Sequence, residues 1–240
     1  MKSKVLILGH KGMLGHMMAK YLFENSYEIS FLSERWPLSK ALILSFDGDY
    51  IINCIGAIPQ RTSDFEINWH LPIWLDLNCK CRIIHPGTDC EIDLDDYGRS
   101  KNIAANFIKS AGSKTKVLKT SVIGPELTTN SSLLNWFLSQ NNEVFGYTHA
   151  LWNGNTTLEW AKQCEKLMNN WDDYGTETII YSNTISKYEL LKILKDVFNK
   201  NILIKPKNLG EDKALKGSMK TKNILDQLIE LKNYYYVKEG

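Results

Sequence analysis

The chain has 240 residues, 43% hydrophobic and 23% charged, with a formal net charge of +2. That length and mixture fit one large globular domain, or one domain with a small appended lobe. They exclude a basic nucleic-acid track, since Lys109, Lys114, Lys116 and Lys119 are spread among apolar and small residues, and no apolar run approaches the roughly 18 residues of a membrane helix.

Lys4–Leu8 is a short apolar run of the kind that forms a buried parallel strand. It is only strand length and leads straight into a glycine loop, so it is not read as a signal peptide. Met13–Phe23 then places Leu14, Met17, Met18, Leu22 and Phe23 at helical spacing. Glu28–Leu32 reads as a second strand and Tyr50–Ile55 as a third, followed by a loop over Gly56–Ser63. The stretch Trp36–Asp49 between them is too short for a full strand–helix–strand passage. Phe65–Leu77 is a predicted helix, Arg82–His85 a strand ending at Pro86-Gly87, Tyr97–Lys109 a helix and Lys116–Leu118 a strand.

Beyond Gly124-Pro125 the rhythm changes. Helices are predicted over Ser132–Leu138, Thr157–Met168, Lys187–Phe198 and Asn223–Leu231, with strands at Glu143–Phe145, Thr178–Tyr181 and Ile202–Ile204. The predicted fold is α/β: a doubly wound parallel sheet of Rossmann type with a small C-terminal substrate lobe. Residues 1–123 with 150–183 are expected to form the dinucleotide-binding domain, and 124–149 with 184–240 the lobe. The cysteines Cys54, Cys79, Cys81, Cys90 and Cys164 are odd in number and hold no Cys-x-x-Cys pair. Neither a disulfide framework nor a metal site is expected, and a reducing cytoplasm fits.

Gly9, Gly12 and Gly15 sit at Gly-x-x-Gly-x-x-Gly spacing, directly after a strand and opening a helix. That context suits a dinucleotide phosphate loop. The first glycine permits the tight turn, the second lets backbone approach a pyrophosphate, and the third allows close helix–sheet packing. The helix N-terminus offers unpaired N–H groups and partial positive charge. Ser33-Glu34-Arg35 ends the second strand. Arg35, helped by Lys11, favours NADPH over NADH, because an arginine there accepts a 2′-phosphate.

Tyr97 and Lys101 are four apart and share a helix face. An ammonium one turn away is expected to favour the phenolate and so lower the tyrosine pKa. Tyr97 can then pass a proton to or from a carbonyl oxygen. Thr88, in Pro86-Gly87-Thr88-Asp89-Cys90, ends a central strand, where ligands of open α/β sheets bind. It is placed to hydrogen-bond a substrate carbonyl; a turn cap is its alternative. Asn53-Cys54-Ile55-Gly56-Ala57 ends an earlier strand with small residues that admit a cofactor.

In this order the motifs resemble extended short-chain dehydrogenase/reductases that act on nucleotide sugars, and within them the dTDP-4-dehydrorhamnose reductase family. The matching stretches are Val5–Gly15, Ile51–Ala57, Asn68 with Leu71-Pro72, His85–Cys90, Tyr97–Lys101, Thr120–Leu127, Ser132–Gln140, Gly146–Trp152, Thr156–Glu159 and Leu215–Ser218. The resemblance implies a catalytic triad of Tyr97, Lys101 and Thr88. It implies cofactor binding by Gly9, Lys11, Gly12, Met13, Leu14, Gly15, Ala57 and Lys101. Ser121–Pro125, with Val122, would close over nicotinamide and sugar, and Asn135, Trp136, Thr148 and Trp152 would lie near the sugar or its nucleotide. Core packing is the other reading of Trp136 and Trp152.

The implied function is NAD(P)H-dependent reduction of a 4-keto group on a nucleotide-linked deoxysugar, feeding surface-polysaccharide synthesis. A homodimer through the helices at 65–77 and 97–109 is compatible with the resemblance, though no residue demands it. One departure stands out. The family carries a loop of a dozen or more residues between the Thr-Asp pair and the tyrosine, and here only Glu91–Asp96 is present. Two other readings follow. One is a nucleotide-sugar epimerase or dehydratase with tightly held NAD, using Asp89, Glu91 or Asp93 as acid–base group. The other is a cofactor-binding protein without turnover.

Overall fold

The structure, a computed structural model, describes residues 2–110 and 112–237. In chain order the first elements are β1 (Lys4–Leu8), α1 (Met13–Glu24), β2 (Glu28–Ser30), α2 (Lys40–Leu44), β3 (Tyr50–Asn53), α3 (Ile67–Asn78), β4 (Arg82–Gly87), α4 (Asp96–Ser110) and β5 (Thr115–Lys119). Then come β6 (Val122–Ile123), α5 (Leu133–Ser139), β7 (Glu143–Tyr147), β8 (Leu151–Trp152), β9 (Asn155–Thr156), α6 (Thr157–Asn169) and β10 (Glu177–Tyr181). The last are β11 (Ile185–Ser186), α7 (Lys187–Val197), β12 (Leu203–Lys207), β13 (Met219–Lys220) and α8 (Ile224–Tyr236).

Among the described residues, seven strands form one parallel sheet in the order β13-β10-β5-β4-β3-β1-β2. The inner strands read as continuous apolar runs because both faces are covered. Every residue of β3 is buried, as are Val5 to Leu8 of β1. Leu6, Leu8, Ile51 and Ile83 pack against Leu71 and Leu75 of α3. The strand order reverses at β1, which pairs β2 on one side and β3 on the other. The ligand crevice of such a sheet lies at the carboxyl ends of the strands flanking that reversal.

Between β2 and β3 the chain makes only the five-residue α2. It then returns to β1 without building a further edge strand, as the short Trp36–Asp49 stretch requires. The strands end differently from their sequence periodicity. β3 stops at Asn53, two residues early, because the Asn53 side chain accepts the Ile55 N–H at 3.1 Å and turns the chain. β4 runs two residues past His85, with Pro86 opposite Leu118 and Gly87 opposite Lys119.

The chain divides into two compact units, Met1–Lys119 with Ala161–Thr178, and Thr120–Trp160 with Ile179–Gly240. The second unit is organised around a buried polar hub. Asn155 donates to Thr120 Oγ1 (2.9 Å) and the Ile180 carbonyl (3.2 Å), and accepts from Gln227 Nε2 (2.9 Å) and Thr221 Oγ1 (2.5 Å). Each polar atom of that side chain is thereby satisfied, the condition for burying it without loss. Among the described residues no helix is long and apolar enough to cross a membrane.

Candidate active site

The glycine loop joins β1 to α1. Gly9 has φ +79°, and a Cβ there would lie 2.9 Å from the Cys54 carbonyl carbon. A Cβ on Gly15 would lie 2.2 Å from the Gly9 oxygen, so the start of α1 can pack this closely only as glycine. The Gly12 N–H bonds the Gly9 carbonyl at 2.9 Å and closes the turn. Gly12 is also the N-cap of α1 and brings no side-chain cap. The first-turn amides of Met13, Leu14 and Gly15 therefore carry no side-chain acceptor, the arrangement that receives phosphate.

Beside the loop lies a cavity of about 350 Å³, lined by Gly9, His10, Lys11, Leu32, Ser33, Glu34, Arg35, Trp36, Ile55 and Ile67. The structure thus brings the expected cofactor residues Gly9, Lys11 and Arg35 to one opening. His10 and Phe31 stack at 4.5 Å on its flank. A glycine cradle that a Cβ would fill, uncapped helix amides and two exposed cations fit a phosphorylated dinucleotide.

Thr88 and Tyr97 meet at the end of β4. Thr88 caps a 3-10 turn over Asp89–Ile92, accepting the Cys90 N–H at 3.3 Å. Its hydroxyl proton goes to Asp89 Oδ1 at 3.0 Å, and the same hydroxyl lies near enough to Tyr97 to favour its ionised form. Asp95 then caps α4, accepting the Gly98 N–H at 2.7 Å. Gly98 is required here, because a Cβ would lie 2.5 Å from the Cys90 oxygen and 2.6 Å from that of Asp93. The connection Asp89–Asp95 is therefore packed directly onto the first turn of α4. Phe65 meets the Tyr97 ring edge-to-face at 5.6 Å.

The electrostatics of Tyr97 differ from the sequence expectation. Burial pushes its hydroxyl well above the usual tyrosine value, Cys90 and Asp89 add to the rise, and the Thr88 hydroxyl opposes it. The expected net lowering by Lys101 does not occur, because desolvation disfavours the phenolate more than the surroundings favour it. Burial also brings Lys101 down to about 8, with Glu91 and Cys90 opposing that fall. Tyr97 is thus protonated at neutral pH and has a proton to give to an oxygen that gains charge beside it.

Several residues that shape the site were not singled out as functional in the sequence. Asn68 of α3 accepts the Ala57 N–H (2.8 Å) and donates to the Ala57 carbonyl (3.0 Å) and to Ser100 Oγ (3.1 Å). Ser100 in turn donates to the Tyr97 carbonyl at 2.7 Å. One amide therefore ties the loop bearing Ala57 to the helix bearing Tyr97 and Lys101. Asn53 at the end of β3 and His85 within β4, both buried, pair at 3.2 Å. Burial, reinforced by Lys101, holds His85 at about 3, so it is neutral. In the sequence these residues stood out only as parts of the stretches that carry the resemblance, with no role attached.

The five residues expected at the sugar all belong to the second unit. Val122 lies in β6, opposite Asn155. Asn135 is spent on its own loop: it accepts the Glu126 N–H and donates to the Glu126 and Thr129 carbonyls. Trp136 is half-buried on α5, with its carbonyl accepting from Ser139 and Gln140. Thr148 donates to Asn208 at 2.9 Å. Trp152 is buried in β8, opposite Ile185, and a Cβ on Gly154 would lie 2.4 Å from its ring. Trp152 therefore packs as core.

No protein-family profile and no curated protein matches the chain in sequence. Solved structures do match in fold. A dTDP-4-dehydrorhamnose reductase from Bacillus anthracis str. Ames, in complex with NADP, aligns with TM-score 0.80 and 14% identity, covering 96% of this chain and 99% of that one. A dTDP-glucose 4,6-dehydratase from the same organism, in complex with NAD, gives 0.74 at 12% identity over 97% of this chain and 96% of that one. A GDP-mannoheptose C4 reductase from Campylobacter jejuni with NADP bound gives 0.72 at 12% identity over 98% of this chain and 99% of that one. The fold is the doubly wound α/β fold of these enzymes.

Proposed function

We propose that the chain is an NAD(P)H-dependent oxidoreductase that reduces a keto group on a nucleotide-linked sugar, with a 4-keto-6-deoxysugar as the favoured substrate. The observation that carries this reading is Tyr97: a protonated phenol beside Thr88 and one helical turn from Lys101, at the carboxyl end of a central strand. The likeness to reductases crystallised with NADP supports it.

The loop Gly9–Gly15 and the first amides of α1 would hold the pyrophosphate, Arg35 and Lys11 the adenosine end, and Ala57 and Lys101 the nicotinamide end. When bound, the reduced cofactor supplies the hydride. Tyr97 donates its phenolic proton to the carbonyl oxygen of the substrate as that oxygen gains charge. The Lys101 ammonium stabilises the phenolate left behind. Thr88 turns its hydroxyl proton from Asp89 to the same carbonyl oxygen and orients it. The product would feed surface-polysaccharide synthesis in the cytoplasm.

The dehydratase reading draws on the likeness to an NAD-bound dehydratase and on the acids near Thr88. Glu91 serves it poorly, since both its carboxylate oxygens already have protein partners. Reading the chain as a cofactor-binding protein without turnover leaves the grouping of Thr88, Tyr97 and Lys101 without a purpose. The deciding experiment follows NADPH oxidation with dTDP- and GDP-linked 4-keto-6-deoxysugars. Turnover with one of them is expected. NADPH that binds but is oxidised with none would overturn the reductase reading, and NAD retained through purification would favour the dehydratase.

A further inference from the structure

We propose that the buried Glu91–Lys119 ion pair is a positioning device for Thr88, anchoring it to the end of β5 in place of a longer connection between Thr88 and Tyr97. The inference rests on reading Thr88 and Tyr97 as the reacting pair.

The two oxygens of Glu91 do separate work. Oε1 accepts the Thr88 N–H at 2.9 Å, and Oε2 accepts from Lys119 Nζ at 2.6 Å. Both side chains are nearly withdrawn from solvent, with 5% of Glu91 and 10% of Lys119 exposed. Gly87 makes room for them. It stands opposite Lys119 in the β4–β5 register, and a Cβ there would lie 2.8 Å from Lys119 Cβ and 2.9 Å from Glu91 Oε1.

Burying two charges costs desolvation that their attraction only partly returns, so such a pair is weak evidence of added stability. A capping box alone needs only the carboxylate, and an exposed glutamate would serve it. What the lysine adds is direction. It fixes where Glu91 points, Glu91 fixes the Thr88 backbone, and the turn that follows fixes Thr88 Oγ1 through the Cys90 N–H. Only Asp89–Asp95 joins Thr88 to α4, so the ion pair acts beside the Thr88–Asp89 bond and the packing of that short connection on Gly98. The carboxylate has a second effect, since it opposes the fall in the Lys101 pKa. The titratable groups facing Lys101 are Glu91 and Cys90 from the turn, His85 from β4 and Tyr97 from its own helix.

The test compares Lys119→Met, Lys119→Arg, Glu91→Gln and Tyr97→Phe. It reads Thr88 amide exchange in the cofactor-free protein, NADPH affinity, kcat, and kcat/KM against pH. In Lys119→Met, Thr88 exchange should quicken about tenfold or more as the acceptor loses its anchor. kcat should fall about 10- to 100-fold while the NADPH Kd stays within about twofold, because misplacing a reacting group by an ångström costs rate rather than cofactor binding. Lys119→Arg keeps a cation and should restore both. Glu91→Gln has one carbonyl oxygen for two donors, so it should lose one of them and move the alkaline limb of kcat/KM to lower pH. It also carries the test if Lys119→Met does not fold.

Lys119→Met, or Glu91→Gln in its place, with wild-type Thr88 exchange and wild-type kcat would overturn the proposal. Thr88 exchange needs no turnover. An active Tyr97→Phe would therefore sink the reductase reading while leaving the anchoring result legible. A dead Tyr97→Phe beside a fully active Lys119→Met would sink the anchor alone.

Discussion

The Lys101 amine rests against the backbone of Gly56, 3.1 Å from where a side chain on that residue would begin. This contact brings the cation of α4 to the loop that follows β3, where Asn68 holds Ala57 by both its N–H and its carbonyl. The same enclosure strips water from the amine and brings it to about 8.

The pH dependence follows from that value. Below it Lys101 is charged and offsets the phenolate formed when Tyr97 gives up its proton. As pH rises through about 8 the charge is lost, and reduction slows. kcat/KM should therefore show an alkaline limb near 8. Lys101→Met should cost on the order of 10²-fold and remove the limb. A kcat/KM that stays flat up to the ordinary lysine range would contradict the role given to Lys101.

The glycine loop yields a second expectation. A Cβ on Gly15 would lie 2.2 Å from the Gly9 oxygen, which already accepts the Gly12 N–H. Gly15→Ala must push α1 away from the loop and move the amides meant for phosphate. NADPH affinity, followed by the fluorescence of the bound nucleotide, should weaken about tenfold or more, or 1.4 kcal/mol. The far-ultraviolet circular dichroism should be unchanged. An unaltered Kd would show that the loop does not hold the cofactor.

Arg35 tests the choice of cofactor. It is exposed and lines the same cavity as Lys11. Its guanidinium suits a 2′-phosphate, which NADPH has and NADH lacks. Arg35→Ala should raise the NADPH Kd by about tenfold and leave the NADH Kd within about twofold, the size expected for a lost charge-assisted contact. Equal loss for both nucleotides would move Arg35 out of that role.

Much of the architecture was legible because the central strands are buried on both faces. Lys4–Leu8 and Tyr50–Asn53 are apolar without alternation, and that pattern survives folding unchanged. The glycine spacing was legible because the turn, the helix start and the close packing each demand glycine at a fixed offset. The short α2 escaped notice, since five residues do not establish a helical period. The end of β3 depends on a side-chain bond from Asn53 that apolar patterning does not encode. Pro86 reads as a strand breaker, yet it sits inside β4, opposite Leu118. For Tyr97, spacing revealed its neighbour but not its burial, and burial decides the direction of its pKa. Glu91 and Lys119 are 28 residues apart, and only the β4–β5 register brings them together. Asn135 looks like a ligand residue by type, but its three hydrogen bonds go to the backbone at Glu126 and Thr129.

The central claim is that Tyr97 is the proton donor of a nucleotide-sugar reductase. The most direct measurement compares NADPH oxidation by wild type and Tyr97→Phe with the same 4-keto-6-deoxysugar nucleotide, alongside NADPH binding by each. Phenylalanine keeps the ring against Phe65 and removes only the hydroxyl. Binding should be retained and kcat should fall about 10²- to 10⁴-fold, the usual cost of losing one acid–base group. A Tyr97→Phe protein that binds NADPH and turns over at the wild-type rate would contradict the account.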